Sequence, residues 1–225
     1  MEEISEHRID KWETLMFTYE SALKEIATKI DILNNEFIKI HNYNPIEHVT
    51  SRIKSSESIV KKLKRHGLEV NMDNMQNCLS DIAGIRIVCS FTSDIYRIAD
   101  RISSQSDIQV LTVKNYIANP KPNGYKSYHM VVSVPVYLST GPVNVKVEIQ
   151  IRTIAMDFWA SLEHKIRYKF EGKAPQHINE ELKACSDIVN MLDAKMLSLN
   201  EEVQALPKEG TARGKRQDAE DVGGK

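Results

Sequence analysis

No apolar run in this 225-residue sequence approaches the ~20 residues that a membrane-spanning helix requires. Cysteine is scarce: Cys78, Cys89 and Cys185 are odd in number, far apart, and show no C-x-x-C spacing. That excludes a disulfide framework and a structural zinc site, and fits reduced thiols in a cytoplasm. An excess of either charge is also missing, with 30 basic against 31 acidic residues and a net charge of −1. Near-neutrality argues against a protein whose main task is to coat nucleic acid. The opening MEEISEHRIDKWE is acidic and polar, so it is no secretory signal. There is no G-x-x-x-x-G-K phosphate loop and no internal repeat.

What is present is ordinary globular composition, 41% apolar and 27% charged, long enough for one domain with a full core. Residues 8–40 read as one long helix, because Ile9, Trp12, Met16, Tyr19, Leu23, Ile26, Ile30, Leu33, Phe37 and Ile40 alternate three and four apart. Asn44-Pro45 then reads as an N-cap with proline at the first helical position, and a second helix is expected from about Ser55 to Arg65, ending at Gly67. The middle is strand-rich: IAGIRIVCSF (82–91), YHMVVSVPVYL (128–138) and VKVEIQIRT (145–153) are apolar and β-branched. Residues 93–105 have helical spacing, 114–127 read as a polar loop, and STGPVN (139–144) as a hairpin connection. Helix returns after Arg152, with a stripe of Ala155, Phe158, Trp159, Leu162 and Ile166, and again from Ile178 to Val203. The tail, 206–225, has no aromatic residue and is expected to be disordered, leaving one domain over 1–205. Helices flanking an irregular β region predict an α+β fold with a mixed sheet rather than a parallel one. Both terminal seams could bury against the sheet or against another subunit.

Four stretches carry chemistry. TSRIKSSESIVKKLKRHG (50–67) holds Arg52, Lys54, Lys61, Lys62, Lys64 and Arg65 against one Glu57. Ser58, Lys62 and Arg65 share one helical face while Ile59 and Leu63 anchor the adjacent one; the face reads as a triphosphate cradle or as a solvated basic surface. In SDIAGIRIV (80–88), Asp81 precedes a strand, where it serves either as a Mg²⁺ ligand or as a turn cap. PKPNGYKSYH (120–129) sets Tyr125 between Lys121 and Lys126 after Gly124, suited to stacking on a base or to a packed β-turn. In VKVEIQIRT, Lys146, Glu148, Gln150 and Arg152 project from one sheet face. A carboxylate between lysine and amide suits a base or a metal ligand; cross-strand salt bridging is the alternative. On the next helix, Glu163 reads as part of the polar side.

The motifs SRIKSSESIVKKLKR, DIAGIRIV, NGYKSYH, VEIQIRT and FWASLEHK, in that order, closely resemble the synthetase domain of the RelA/SpoT superfamily, and more narrowly the small alarmone synthetases. The likeness runs through roughly residues 40–170. It implies a nucleotidyltransferase-like mixed sheet of about five strands between helices, with long terminal helices. The implied activity is a pyrophosphokinase of the bacterial stringent response, moving the β,γ-diphosphate of ATP to the 3′-hydroxyl of GDP or GTP. No His-Asp metal motif of a hydrolase is seen, so synthesis alone is expected. Carried over by motif, Arg52, Lys54, Ser58, Lys62 and Arg65 would hold ATP, and Arg86 with Arg52 would sandwich the adenine. Asp81 would ligate Mg²⁺, and Glu148 would act as base or second metal ligand. Tyr125 would stack on guanine, with Lys121, His129 and Gln150 on the acceptor nucleotide. Lys114 stands where the family pattern has arginine, and Asp157 where some relatives carry asparagine. The resemblance also implies a homotetramer. Single-stranded RNA binding through the basic patch and Tyr125, or a scaffold built on the two seams, are the rival readings.

Overall fold

The computed structural model describes residues 2–170 and 174–206. Five strands form one sheet in the order β1-β2-β5-β4-β3: β1 (Ile46–Ile53), β2 (Ala83–Cys89), β3 (Gln109–Asn115), β4 (Tyr128–Leu138) and β5 (Gly141–Thr153). Only β2 and β5 run parallel; the other three pairings are antiparallel. Among the described residues there are six helices: α1 (Glu2–His41), α2 (Ser56–Arg65), α3 (Met72–Cys78), α4 (Thr92–Ser103), α5 (Ile154–Tyr168) and α6 (Gln176–Ala205). The expected α+β class, mixed sheet and long terminal helices are all present.

Period-two alternation divides the sheet into an apolar and a polar face. Ile85 and Ile87 of β2, Val147, Ile149 and Ile151 of β5, and Met130, Val132 and Val134 of β4 are buried on the first. The seam of α1, Leu15, Tyr19, Leu23, Ile26, Ile30 and Phe37, joins them in one core. From Trp12 to Phe37 that seam is therefore consumed within the protomer, while Ile40 at its end is exposed. The other terminal seam is not: Leu182 of α6 faces inward, while Leu192, Met196, Leu199 and Val203 are exposed. The α5 stripe splits likewise, with Trp159 buried and Phe158, Leu162 and Ile166 outside.

Two sequence expectations are corrected, and one element was not foreseen. Asn44-Pro45 opens no helix; residues 46–53 form edge strand β1, which accommodates a preceding proline because that edge lacks a further hydrogen-bonded neighbour. Val49, Thr50 and Ile53 are β-branched, and pairing with β2 outweighs the local Asn-Pro signal. β3 takes the first two residues, Lys114 and Asn115, of what read as a polar loop. It has no alternating burial to betray it, being an edge strand exposed along most of its length. Helix α3 is seven residues, too short for a periodicity to register. The hairpin expected at 139–144 forms with a shorter connection, Ser139 and Thr140, because residues 141–144 already pair within β5, and the helix capped by Ser55 forms as expected. Apart from Leu206, which caps α6, the predicted disordered tail lies outside the described residues.

Candidate active site

The polar face of β5 is the floor of the site. Glu148 lies opposite Gly84 of β2 and Val131 of β4, and Gln150 lies opposite Arg86 and His129. On the flanks, Arg52 of β1 pairs with Gly84 and Lys114 of β3 pairs with His129. One sheet face thus gathers Arg52, Arg86, Glu148, Gln150, His129 and Lys114 from all five strands.

Asp81 sits two residues before β2, under the start of α2. Ser55 caps that helix, and Ile59 and Leu63, both at 0% exposure, fasten it to the core. Its other side therefore turns Lys62 onto the strand entrance. Lys62 Nζ is 2.8 Å and Lys54 Nζ is 2.7 Å from the same oxygen, Asp81 Oδ2. The second oxygen, Oδ1, is buried and has no hydrogen-bond partner. Burial pushes the Asp81 carboxyl upward, but bonds and charge from Lys54 and Lys62 outweigh it and hold it below the ordinary value. An ionised, half-satisfied carboxylate calls for another positive partner at Oδ1.

Glu148 is half-buried one strand away. Its Oε2 accepts from Gln150 Nε2 at 2.9 Å, and its Oε1 is 3.5 Å from His129 Nδ1. Burial again favours the neutral acid, and the His129 and Gln150 bonds again prevail, so its carboxyl is also held low. Asp81 acts on it as a repelling like charge, and Gly84, three residues after Asp81, is its partner in β2, so the two acids lie on the same part of the molecule. Both donate hard oxygens, and among the described residues no group of three metal-ligating side chains converges anywhere. This pair suits Mg²⁺, which takes one or two carboxylates and completes its shell with phosphate and water oxygens.

Beyond Gln150 the site is organised by Arg152, a buried cation. Its guanidinium donates to Tyr125 Oη at 2.6 Å, Asp157 Oδ1 at 2.9 Å, Gln150 Oε1 at 3.1 Å and Ser127 Oγ at 3.3 Å. Arg86 Nη1 also reaches Asp157 Oδ1, at 3.4 Å, while its buried Nε has no partner. Burial and the neighbouring charge of Arg152 lower the Arg86 pKa, with Asp157 opposing and Arg52 adding to the effect. Tyr125 Oη lies 2.8 Å from His129 Nε2, and Lys121 Nζ stands 4.8 Å from the Tyr125 ring centroid and 4.7 Å from that of Tyr116.

The candidate residues named from sequence are thus largely brought together. Ser58 accepts from Ser55 Oγ at the start of α2, and Arg65 is exposed at its far end, one turn past Lys62. Arg52 belongs to β1 rather than to the helix. Lys146 does not join the site: its ammonium caps the end of α3 through the carbonyls of Gln76 and Asn77, at 3.0 and 2.9 Å. Glu163 is more than a solvated helical side, since it accepts from Asn123 in the Tyr125 loop at 3.0 Å. Sequence reasoning assigned no role to Arg152 or Tyr116. For Arg152 a signal existed, its place on the polar face of β5 beside the tyrosine turn; for Tyr116 there was none.

A family model described as a region found in RelA / SpoT proteins matches residues 51–173. The chain belongs to the RelA/SpoT family. It is 48% identical to the GTP pyrophosphokinase YwaC of Bacillus subtilis over 195 residues, covering 87% of this chain and 93% of that protein. It is 36% identical to the GTP pyrophosphokinase YjbM of the same organism, covering 86% and 90%. Among solved structures, small alarmone synthetase 2 of B. subtilis superposes with a TM-score of 0.77 at 46% identity, covering 85% of this chain and 99% of that one. Small alarmone synthetase 1, bound to its product pppGpp, superposes at 0.79 with 36% identity, covering 86% and 98%.

Proposed function

We propose that this protein is a GTP pyrophosphokinase, transferring the β,γ-diphosphate of ATP to the ribose 3′-hydroxyl of GDP or GTP and releasing AMP. The observation that carries this reading is the convergence of Asp81, with its unpartnered Oδ1, and Glu148 beside four cationic side chains, Arg52, Lys54, Lys62 and Arg86. Phosphoryl transfer asks mainly for placement and neutralisation of charge. Lys54, Lys62, Arg52 and Arg65 supply the charge, Ser58 a hydroxyl donor, and Arg86 with Arg52 the faces for adenine. Asp81 and Glu148 would hold Mg²⁺, which when bound supplies further neutralisation of the phosphates.

On the acceptor side, Tyr125 offers a ring for guanine, with Asp157 and Gln150 as polar neighbours. Lys114, Lys121 and His129 supply donors and charge for the acceptor nucleotide. The 3′-hydroxyl oxygen forms a bond to the β-phosphorus of ATP as the bond from that phosphorus to the α-phosphate bridging oxygen breaks. Glu148, ionised at neutral pH, takes the hydroxyl proton, and AMP leaves with the bridging oxygen. Incubating the protein with labelled ATP, GDP and Mg²⁺ should yield AMP and a guanosine tetraphosphate in equal amounts; AMP without that product would refute the acceptor assignment.

The apolar residues left outside on α5 and α6, Phe158, Leu162, Ile166, Leu192, Met196 and Leu199, support self-association into a homotetramer. Three free thiols fit a cytoplasmic setting. Among the described residues no helix is long and apolar enough to cross a membrane.

A further inference from the structure

The loop carrying Tyr125 is held from behind by the two C-terminal helices. Ser186 of α6 is buried and donates from Oγ to the Gly124 carbonyl at 2.7 Å. The approach is close enough that a Cβ on Gly124 would lie 2.5 Å from Ser186 Oγ, and Gly124 has φ +88° besides, so only glycine fits. One residue earlier, Asn123 donates to Glu163 of α5. Asn123 Oδ1 in turn accepts from the Tyr125 backbone N–H at 3.3 Å. Seven residues after Ser186, the buried Asp193 accepts from Thr153 Oγ1 at 2.8 Å. Thr153 follows Arg152 and caps α5 through Met156 N, so this bond fixes the turn between Arg152 and Asp157. The α5–α6 pair is itself locked by Trp159 Nε1 donating to the Leu182 carbonyl at 2.9 Å.

We propose that α6 is a strut of the acceptor-nucleotide subsite, with Ser186 and Asp193 as positioning residues for Tyr125 and Asp157. This rests on the assignment of Tyr125 to the acceptor base. Neither residue touches the donor side: Lys54, Lys62 and Asp81 are held by α2 and β2, with no α6 residue among their partners. The outward side of the same helix carries Met191, Leu192, Met196 and Leu199, so displacement of α6 by self-association would be felt first at the acceptor, and on the ATP side only through the Arg86–Asp157 contact.

The test compares steady-state KM for GDP and for ATP in Ser186→Ala, Tyr125→Ala and the double variant. A lost buried hydrogen bond that positions one ring should raise the GDP KM about three- to tenfold, with the ATP KM unchanged. In the Tyr125→Ala background the same substitution should add little, because the ring it positions is gone. Equal rises for both nucleotides, or an undiminished effect in that background, would overturn the strut. If Ser186→Ala raises the GDP KM while Tyr125→Ala does not, the base-stacking assignment fails and the strut, as a support for Tyr125, falls with it. If only Tyr125→Ala is selective, stacking stands and the strut fails. Should Ser186→Ala fold poorly, Ser186→Gly, which removes the hydroxyl without adding bulk, carries the same comparison. Asp193→Asn, which can still accept from Thr153, should be near wild type where Asp193→Ala is selective for GDP.

Discussion

Gly84 lies directly opposite Glu148 in the parallel pairing of β2 and β5, on the polar face of the sheet. A Cβ added at Gly84 would meet nothing nearer than the carbonyls of Arg52 and Glu148, both at 4.0 Å. The backbone there is not strained, so the glycine keeps open space rather than a turn. Gly84→Ala is expected to fold with an unchanged melting temperature and to retain measurable turnover. Gly84→Leu should also fold but lose nucleotide binding, because its side chain would fill the space between Arg52 and Glu148. A Gly84→Leu variant that binds ATP normally by calorimetry would place the substrates elsewhere.

Glu148→Gln removes the carboxylate and keeps the shape. Loss of a positioned base typically costs about 10²–10⁴-fold in rate. ATP and GDP should still bind, since their cationic contacts remain. The wild-type pH profile carries a second check. Because the folded Glu148 carboxyl sits below its ordinary value, it stays ionised as pH falls through the usual glutamate range. The acid limb of kcat/KM should therefore lie below that range. Stability linked to Glu148 has the same sign, present above the unfolded pKa and lost only as pH drops through the folded one. An acid limb above the ordinary value would contradict the bonds from His129 and Gln150.

The sequence showed the site better than the sheet. Alternation along 145–153 put Glu148 and Gln150 on one face, and helical spacing put Lys62 beside Ser58 with Ile59 and Leu63 beneath. Such patterns are local and are written into neighbouring residues. Edge strands β1 and β3 were missed because half-exposed strands need no alternation, and their pairing is decided by residues elsewhere in the chain, 30–43 positions away for β1 and 13–24 for β3. Arg152 escaped notice as a hub for a related reason. Its four bonds go to Tyr125, Ser127, Gln150 and Asp157, and only the folded loop brings the first two within reach. Lys146 shows the converse: a correct facing, but a partner in α3 that the sequence did not reveal.

Tyr125→Ala should weaken the guanine nucleotide more than ATP. Base–aromatic stacking is worth ~1–3 kcal/mol per base, or roughly five- to 150-fold in affinity. Tyr125→Phe separates the ring from the hydroxyl, which binds Arg152 and lies against His129. It should retain most of the stacking and lose affinity only through the loosened Arg152. Equal weakening of ATP and GDP in titrations would refute the stacking role.

Met196→Glu together with Phe158→Glu should dissociate the proposed homotetramer without unfolding the protomer. Both side chains are exposed, at 50% and 59%, so the charges meet water in the monomer and an apolar surface in the oligomer. Sedimentation velocity would report the change; an unaltered sedimentation coefficient would mean that this face is not the interface.

Asp81→Asn distinguishes a metal ligand from a simple counter-ion. In the protein as it stands, Oδ2 is shared by Lys54 and Lys62, whose two charges it only half offsets, and Oδ1 is left over. If Asp81 served only to hold the two lysines apart from bulk water, the amide would free their charge and every phosphate ligand would bind more tightly. If Oδ1 is also the cation's ligand, the amide weakens that contact, since a neutral carbonyl attracts a hard divalent ion far less than a carboxylate. The two effects then carry opposite signs. ATP measured in excess chelator should bind Asp81→Asn as well as or better than wild type. Turnover in Mg²⁺ should fall by orders of magnitude and recover only partly at high Mg²⁺. Wild-type turnover at limiting Mg²⁺ would leave Asp81 as a partner of the lysines alone, and the unpartnered oxygen would need another explanation.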